Sequence, residues 1–215
     1  MRLASLLRPR DPDVRLQRRI RERSTSIAEI GARLDELDPY ERLLALNSLG
    51  RDMQRCLYQK AEGAPPIELA HFVPDPLSPR MAVHHHGHNT LPLPGPHRRF
   101  QKRFCRPEDG SERLFGYNEG PTRGLVGPGY FVAMSTAGNP EWAARGAVVV
   151  DYFQVPDGKV ALGWPRVIPN EAGLQRFVYS GTRDFMRRVS THVSIGAAFK
   201  GERSIDHYFV LCRTP

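Results

Sequence analysis

Apolar and polar positions change their period partway along the chain. In the first 62 residues the apolar ones recur at helical spacing. Leu16, Ile20, Ile27, Ile30, Leu34 and Leu37 fall three, four or seven apart and form one stripe. A second, broader face follows in Tyr40, Leu43, Leu44, Leu46, Leu49, Met53, Cys56 and Leu57. Both starts are punctuated. Asp11-Pro12 and Asp38-Pro39 each offer an acidic N-cap followed by a proline whose missing N–H costs nothing there, and Glu41 adds a capping-box residue. With almost no linker between them, the two helices are expected to form an antiparallel hairpin over residues 1–62. The breadth of the second face predicts packing on two surfaces: the first helix, and either the rest of the chain or another subunit.

Residues 63–96 read as a proline-rich extended connector, because its prolines exclude helix while Ile67, Leu69, Phe72, Val73, Met81 and Val83 remain as apolar anchors. From residue 97 the period becomes two. Strands are expected at 98–104, 113–117, 129–135, 147–155 and 159–164, with a turn at "VPDGKV" making a hairpin of the last two. A helix is expected within 169–190. The end reads as another hairpin, in which Val193, Ile195, Ala197 and Phe199 alternate before "KGER". After that turn Ile205, His207, Phe209 and Leu211 share one face, with Tyr208, Val210 and Cys212 on the other. Apolar residues on both faces predict a strand covered on both sides. The fold class is therefore α+β: an N-terminal helical hairpin, the connector, and a β-rich domain over 97–215. That domain is mainly antiparallel sheet or barrel, with one helix before the last hairpin.

Composition narrows the class. The chain of 215 residues is long enough to bury a core without staples, and its three cysteines form no CxxC pair, which argues for free thiols. No stretch approaches a membrane span and none resembles a signal peptide, so no membrane partner and a cytoplasmic location are expected. The net charge of +8 favours polyanions without naming one. Arginines crowd the first 23 residues and recur in "HRRFQKRFCR" (97–106).

Candidate chemistry centres on "HHHGHN" (84–89). A strand aims His84 and His86 to one side, with His88 beyond, and neutral imidazoles two apart can share a divalent metal if a third ligand such as His71 or His97 arrives. The spacing is not the HxHxDH of metallo-β-lactamase-type hydrolases, since His88 and Asn89 stand where that pattern has Asp and His. Two other positions set a polar group among apolar ones: His207 in the last strand, expected near His192 across the hairpin, and Asp151 in "VVVDYF". Both are candidate catalytic groups. The glycine-rich "YNEGPTRGLVGPGYF" (117–131) has neither a dinucleotide fingerprint nor a Walker A ending, so its glycines read as permitting positive-φ turns or a close backbone crossing, with Arg123 beside them to meet an anionic ligand.

The function expected from these residues is that of a small-ligand-binding barrel, with an enzyme using a His-lined site as its extension. Tyr130, Tyr152, Trp164 and Arg123 are the expected ligand-binding residues. Two alternatives belong to other classes. One is a nucleic-acid-associated protein using Arg15, Arg18, Arg19, Arg99 and Arg103, with Phe100 and Phe104 stacking on unpaired bases. The other is an interaction or scaffold protein that self-associates through the helical hairpin.

Overall fold

The computed structural model describes residues 12–214. The expected Asp11 cap and the arginines before it lie outside the described residues. Eight antiparallel strands close into a barrel in which every strand pairs with its sequence neighbours: β1 (Val83–Asn89), β2 (Arg99–Cys105), β3 (Arg113–Glu119), β4 (Phe131–Ser135), β5 (Val148–Asp151), β6 (Thr182–Arg188), β7 (Val193–Lys200) and β8 (Arg203–Arg213). Closure comes from β1 pairing with β8, with Gly87 opposite Leu211, so no edge is left open. The expected α+β class with a barrel is thus the observed architecture. The barrel takes its first strand from within the proline-rich stretch, from the histidine-bearing residues themselves.

The helical region is more divided than its periodicity suggested. Its elements are α1 (Pro12–Arg21), α2 (Ile27–Glu36), α3 (Pro39–Asn47) and α4 (Arg51–Lys60). The break between α1 and α2 has a chemical cause: the Ser26 hydroxyl accepts from the Glu29 N–H while the Glu29 carboxylate accepts from the Ser26 N–H. Gly50 ends the run between α3 and α4. The Asp38 cap forms as expected, accepting from the N–H groups of Tyr40 and Glu41 at 2.8 and 2.9 Å. Buried Arg42 then closes the C-terminal end of α2 by donating to the carbonyls of Leu34 and Leu37.

These helices cover the outer face of β7 and β8. Leu16, Ile20, Ile30, Leu34, Leu46 and Leu57 form one core with Val193, Ile195, Ala197, Val210 and Cys212. The second surface of the broad helical face is therefore this chain's own barrel. Arg55 of α4 fastens it by a bidentate pair to Asp206 of β8, at 3.0 and 2.5 Å. Among the described residues no helix is long and apolar enough to cross a membrane.

Alternation along the strands divides the barrel into inside and outside. Phe104, Leu114, Phe131, Val148, Met186 and Leu211 fill the lower half, which Phe72 of the short helix α5 (Leu69–Phe72) plugs from below. Inward glycines make room for rings. A Cβ on Gly116 or Gly196 would stand inside the ring of its cross-strand neighbour, Phe131 or Phe209.

Between β5 and β7 two sequence expectations fail. There is no hairpin around 155–160: β5 ends at Asp151, and residues 152–181 run as a long connection with a 3-10 turn at Gly173–Phe177. Part of it covers the outer face of the barrel, where Ala161, Val160 and Trp164 pack with Cys105, Phe115 and Val132. The expected helix within 169–190 is also absent beyond that turn, because Thr182–Arg188 pairs with both β5 and β7 as β6. Tertiary pairing overrode a stretch whose local propensities were ambiguous.

Candidate functional site

The open end of the barrel is framed by the connections β1–β2, β3–β4, β5–β6 and β7–β8, and encloses a cavity of about 450 Å³. That lies within the range of small-molecule sites. Its walls are largely apolar: Leu91, Leu93, Phe100, Val178, Tyr179 and Phe209. Its floor is polar and wholly buried. Lys102, Asn118, Tyr152 and Asp184 project inward from β2, the end of β3, the residue after β5, and β6.

These four side chains satisfy one another. The Lys102 ammonium donates to Asn118 Oδ1 at 3.0 Å, to the Tyr152 hydroxyl oxygen, and to Asp184, whose Oδ2 stands 3.1 Å away. Its three N–H bonds are thereby matched to three acceptors. The Tyr152 hydroxyl donates to Asp184 Oδ2 at 3.2 Å, and the Asn118 amide donates to that same hydroxyl and to the Gly129 carbonyl, both at 3.0 Å. The rings of Phe131, Tyr152 and Phe209 surround the ammonium at 4.9–5.0 Å from their centroids.

Burial dominates the electrostatics of this floor. It pushes the Lys102 ammonium below its ordinary pKa against the pull of Asp184, and pushes the Asp184 carboxyl upward against the pull of Lys102. The Tyr152 phenol rises well above its usual range, first through desolvation and then through the Asp184 charge. Both partners of the pair are thus moved toward neutrality.

The expected site residues divide sharply. Tyr152 belongs to the floor, His207 lines the cavity wall, and Arg123 stands at the rim, held by Glu119 at 2.7 Å. Burial and the charge of Arg51 lower the His207 pKa. His192 does not meet His207, since it sits beside Arg213 at the other end of β8 while His207 pairs with Ala198. Asp151 faces outward: it pairs with Arg183 at 3.3 Å and accepts from the Phe153 N–H at 3.0 Å. It therefore does not join His207. Tyr130 and Trp164 are on the outer face as well, in a cluster with Tyr117.

His84, His86 and His88 do share one side, but it is the outside of the barrel. His84 is exposed, His86 half-buried and His88 buried against α3. Neither expected third ligand reaches them. His97 is on the exposed β1–β2 connection, and His71 lies beneath the barrel beside His85. Among the described residues no group of three or more His, Cys, Asp or Glu is placed to hold a metal ion. His85, the inward member of the run, donates from Nε2 to the Phe72 carbonyl at 3.0 Å, and burial pushes its pKa to about 3.

Lys102, Asp184 and Asn118 were not anticipated. Lys102 stands within the basic run 97–106, and Asp184 within the expected helix of 169–190. The available signal was period two: in "FQKRF" Lys102 shares its face with Phe100 and Phe104, and in "TRDFM" Asp184 shares its face with Thr182 and Met186. The same register puts Phe100 and Phe104 inside the barrel, so they do not stack on bases at its surface. Of the arginines expected at a nucleic acid, Arg15, Arg18, Arg19 and Arg99 are exposed, whereas Arg103 is half-buried and donates to Gln101 and Tyr117. In the glycine-rich stretch, Gly127 and Gly129 adopt φ of 115° and 53°, as their expected turn role requires. The chain matches no family model, no curated protein and no solved structure.

Proposed function

We propose that the protein binds a small amphipathic molecule in the barrel mouth, with its apolar body among Phe100, Tyr179 and Phe209 and its polar end at the buried floor. One observation carries this reading: a cavity of about 450 Å³ with mainly apolar walls ends on four buried polar side chains that all line it. An eight-stranded barrel that merely folds can fill its interior with side chains. This one does so only in its lower half, where Phe104, Phe131 and Phe72 pack together. The floor is internally neutralised, so binding should draw mainly on apolar burial and depend little on ionic strength.

The test is a fluorescence titration with 1-anilinonaphthalene-8-sulfonate at low and high salt. Saturable binding that survives high salt and is lost in Ala198→Trp, which fills the cavity from β7, supports the reading. Binding that vanishes with salt, or is indifferent to Ala198→Trp, removes it.

A second reading, contact with nucleic-acid phosphates, is favoured by Arg15, Arg18 and Arg19, which stand exposed along α1. Arg18 is already paired with Glu22 at 2.8 Å. Charge reversal at Arg15, Arg18 and Arg19 should abolish a steeply salt-dependent affinity and leave dye binding intact.

A further inference from the structure

We propose that the cavity holds an apolar aldehyde or ketone as an imine on Lys102, with Asp184 as the proton partner. The inference rests on the reading of the cavity as a ligand site and adds its substrate class. Basic residues in this chain are overwhelmingly arginine, and only four of the 31 lysines and arginines are lysine. Lys60, Lys159 and Lys200 are at or near the surface, whereas Lys102 is 2% exposed at the bottom of the cavity. An interior cation for the barrel did not have to be a primary amine. What lysine offers over arginine is an amine that can lose its proton and attack a carbonyl carbon.

The geometry provides for both requirements. Asp184 Oδ2 lies 3.1 Å from the Lys102 nitrogen, close enough to take a proton directly. Burial of both groups works against the ammonium–carboxylate pair and moves Lys102 and Asp184 in the direction of the neutral amine and acid, opposed by their mutual attraction. Asn118 and Tyr152 hold the nitrogen facing the cavity.

The step balances without any co-reactant. Lys102 passes one proton to Asp184, its lone pair forms the C–N bond, and the carbonyl oxygen takes that proton to give a carbinolamine. The carbinolamine nitrogen then gives up a further proton to Asp184, which protonates the hydroxyl, and water leaves as the C=N bond forms. Ammonium and carbonyl thus become protonated imine and water when Asp184 ends as the carboxylate counter-ion. No oxidation state changes. The apolar walls suit a carbonyl on a hydrocarbon or aromatic body, a class to which Leu93, Phe100 and Val178 offer contact.

The experiment treats the intact protein with 6-methoxy-2-naphthaldehyde and sodium cyanoborohydride and maps reduced adducts by mass spectrometry. The corresponding alcohol, 6-methoxy-2-naphthalenemethanol, serves as a ligand that cannot form an imine. Labelling of Lys102 about tenfold or more above Lys60, Lys159 and Lys200, blocked by the alcohol, is expected. Lys102→Arg keeps a positive charge opposite Asp184 and should lose the adduct, while binding of the alcohol is read on the unaltered protein. If that variant fails to fold, site-resolved labelling of the unaltered protein still decides the matter. Binding of the alcohol with Lys102 labelled no faster than the other three lysines overturns the imine and leaves the pocket standing. Failure of both compounds to bind overturns the pocket, and the imine with it.

Discussion

Lys102 on β2 and Asp184 on β6 face each other across the barrel interior at 3.1 Å, each less than one-tenth exposed. A buried pair contributes little over a well-packed apolar one, but breaking it leaves a charge without a partner. Lys102→Met and Asp184→Leu should therefore each cost about 3–5 kcal/mol. The double variant should recover at least half of their sum. Urea unfolding of the three variants measures this, and strict additivity would contradict a direct pair.

The cavity and the histidine run are separable. Removing His84 and His86 together should change unfolding free energy by no more than about 0.5 kcal/mol, since both are on the outer face at least partly in solvent. Dye binding should be unchanged. A tenfold loss of affinity in this double variant would mean that the outer face communicates with the pocket.

Asp151 is structural on this geometry. It is buried, accepts from the Phe153 N–H and pairs with Arg183, whose guanidinium also lies over the rings of Trp142 and Phe153. Asp151→Asn should cost about 1–3 kcal/mol in stability while leaving ligand affinity within twofold. Measuring both quantities on one preparation distinguishes this from a role in the pocket.

Acid should destabilise the protein before its carboxylates titrate. His85 is neutral in the fold with a pKa of about 3, and His71 beside it is also held well below its usual value by burial. Below about pH 6.5 the unfolded chain takes up protons that the folded chain refuses, so stability is full above that pH and falls as pH drops toward 3. Between pH 7.5 and 5, His85 alone should account for about 2 kcal/mol. His84, His86, His88, His192 and His207 are shifted in the same direction and steepen the loss. His85→Gln, which can keep the bond to the Phe72 carbonyl, should flatten the slope of unfolding free energy against pH. An unchanged slope would show that His85 is not buried as described.

Much of the fold was legible because its physics is local. The Asp38 cap, the alternation of β8 and the closing hairpin follow from two or three neighbouring residues each. The divisions at Ser26 and Gly50 were legible too, in a serine three residues before Glu29 and in a glycine between two apolar turns, but the continuous apolar stripe concealed them. What the sequence withheld was register between distant strands. Asp151 interrupts an apolar run and Asp184 stands between Arg183 and Phe185, and only the pairing of β5 with β6 decides that the first points out and the second in. Lys102 was concealed by its basic neighbours, although alternation with Phe100 and Phe104 marked its face.

The most direct test of the pocket is a titration of the isotopically labelled protein with 6-methoxy-2-naphthalenemethanol, followed by two-dimensional amide NMR. A site in the barrel mouth predicts shifts at Lys102, Asn118, Asp184, Ala198 and Phe209 that saturate near a single equivalent, with Tyr130 and Trp142 on the outside left still. Shifts that never saturate, or that concentrate on α1 and the outer face while the interior strands stay silent, would contradict it.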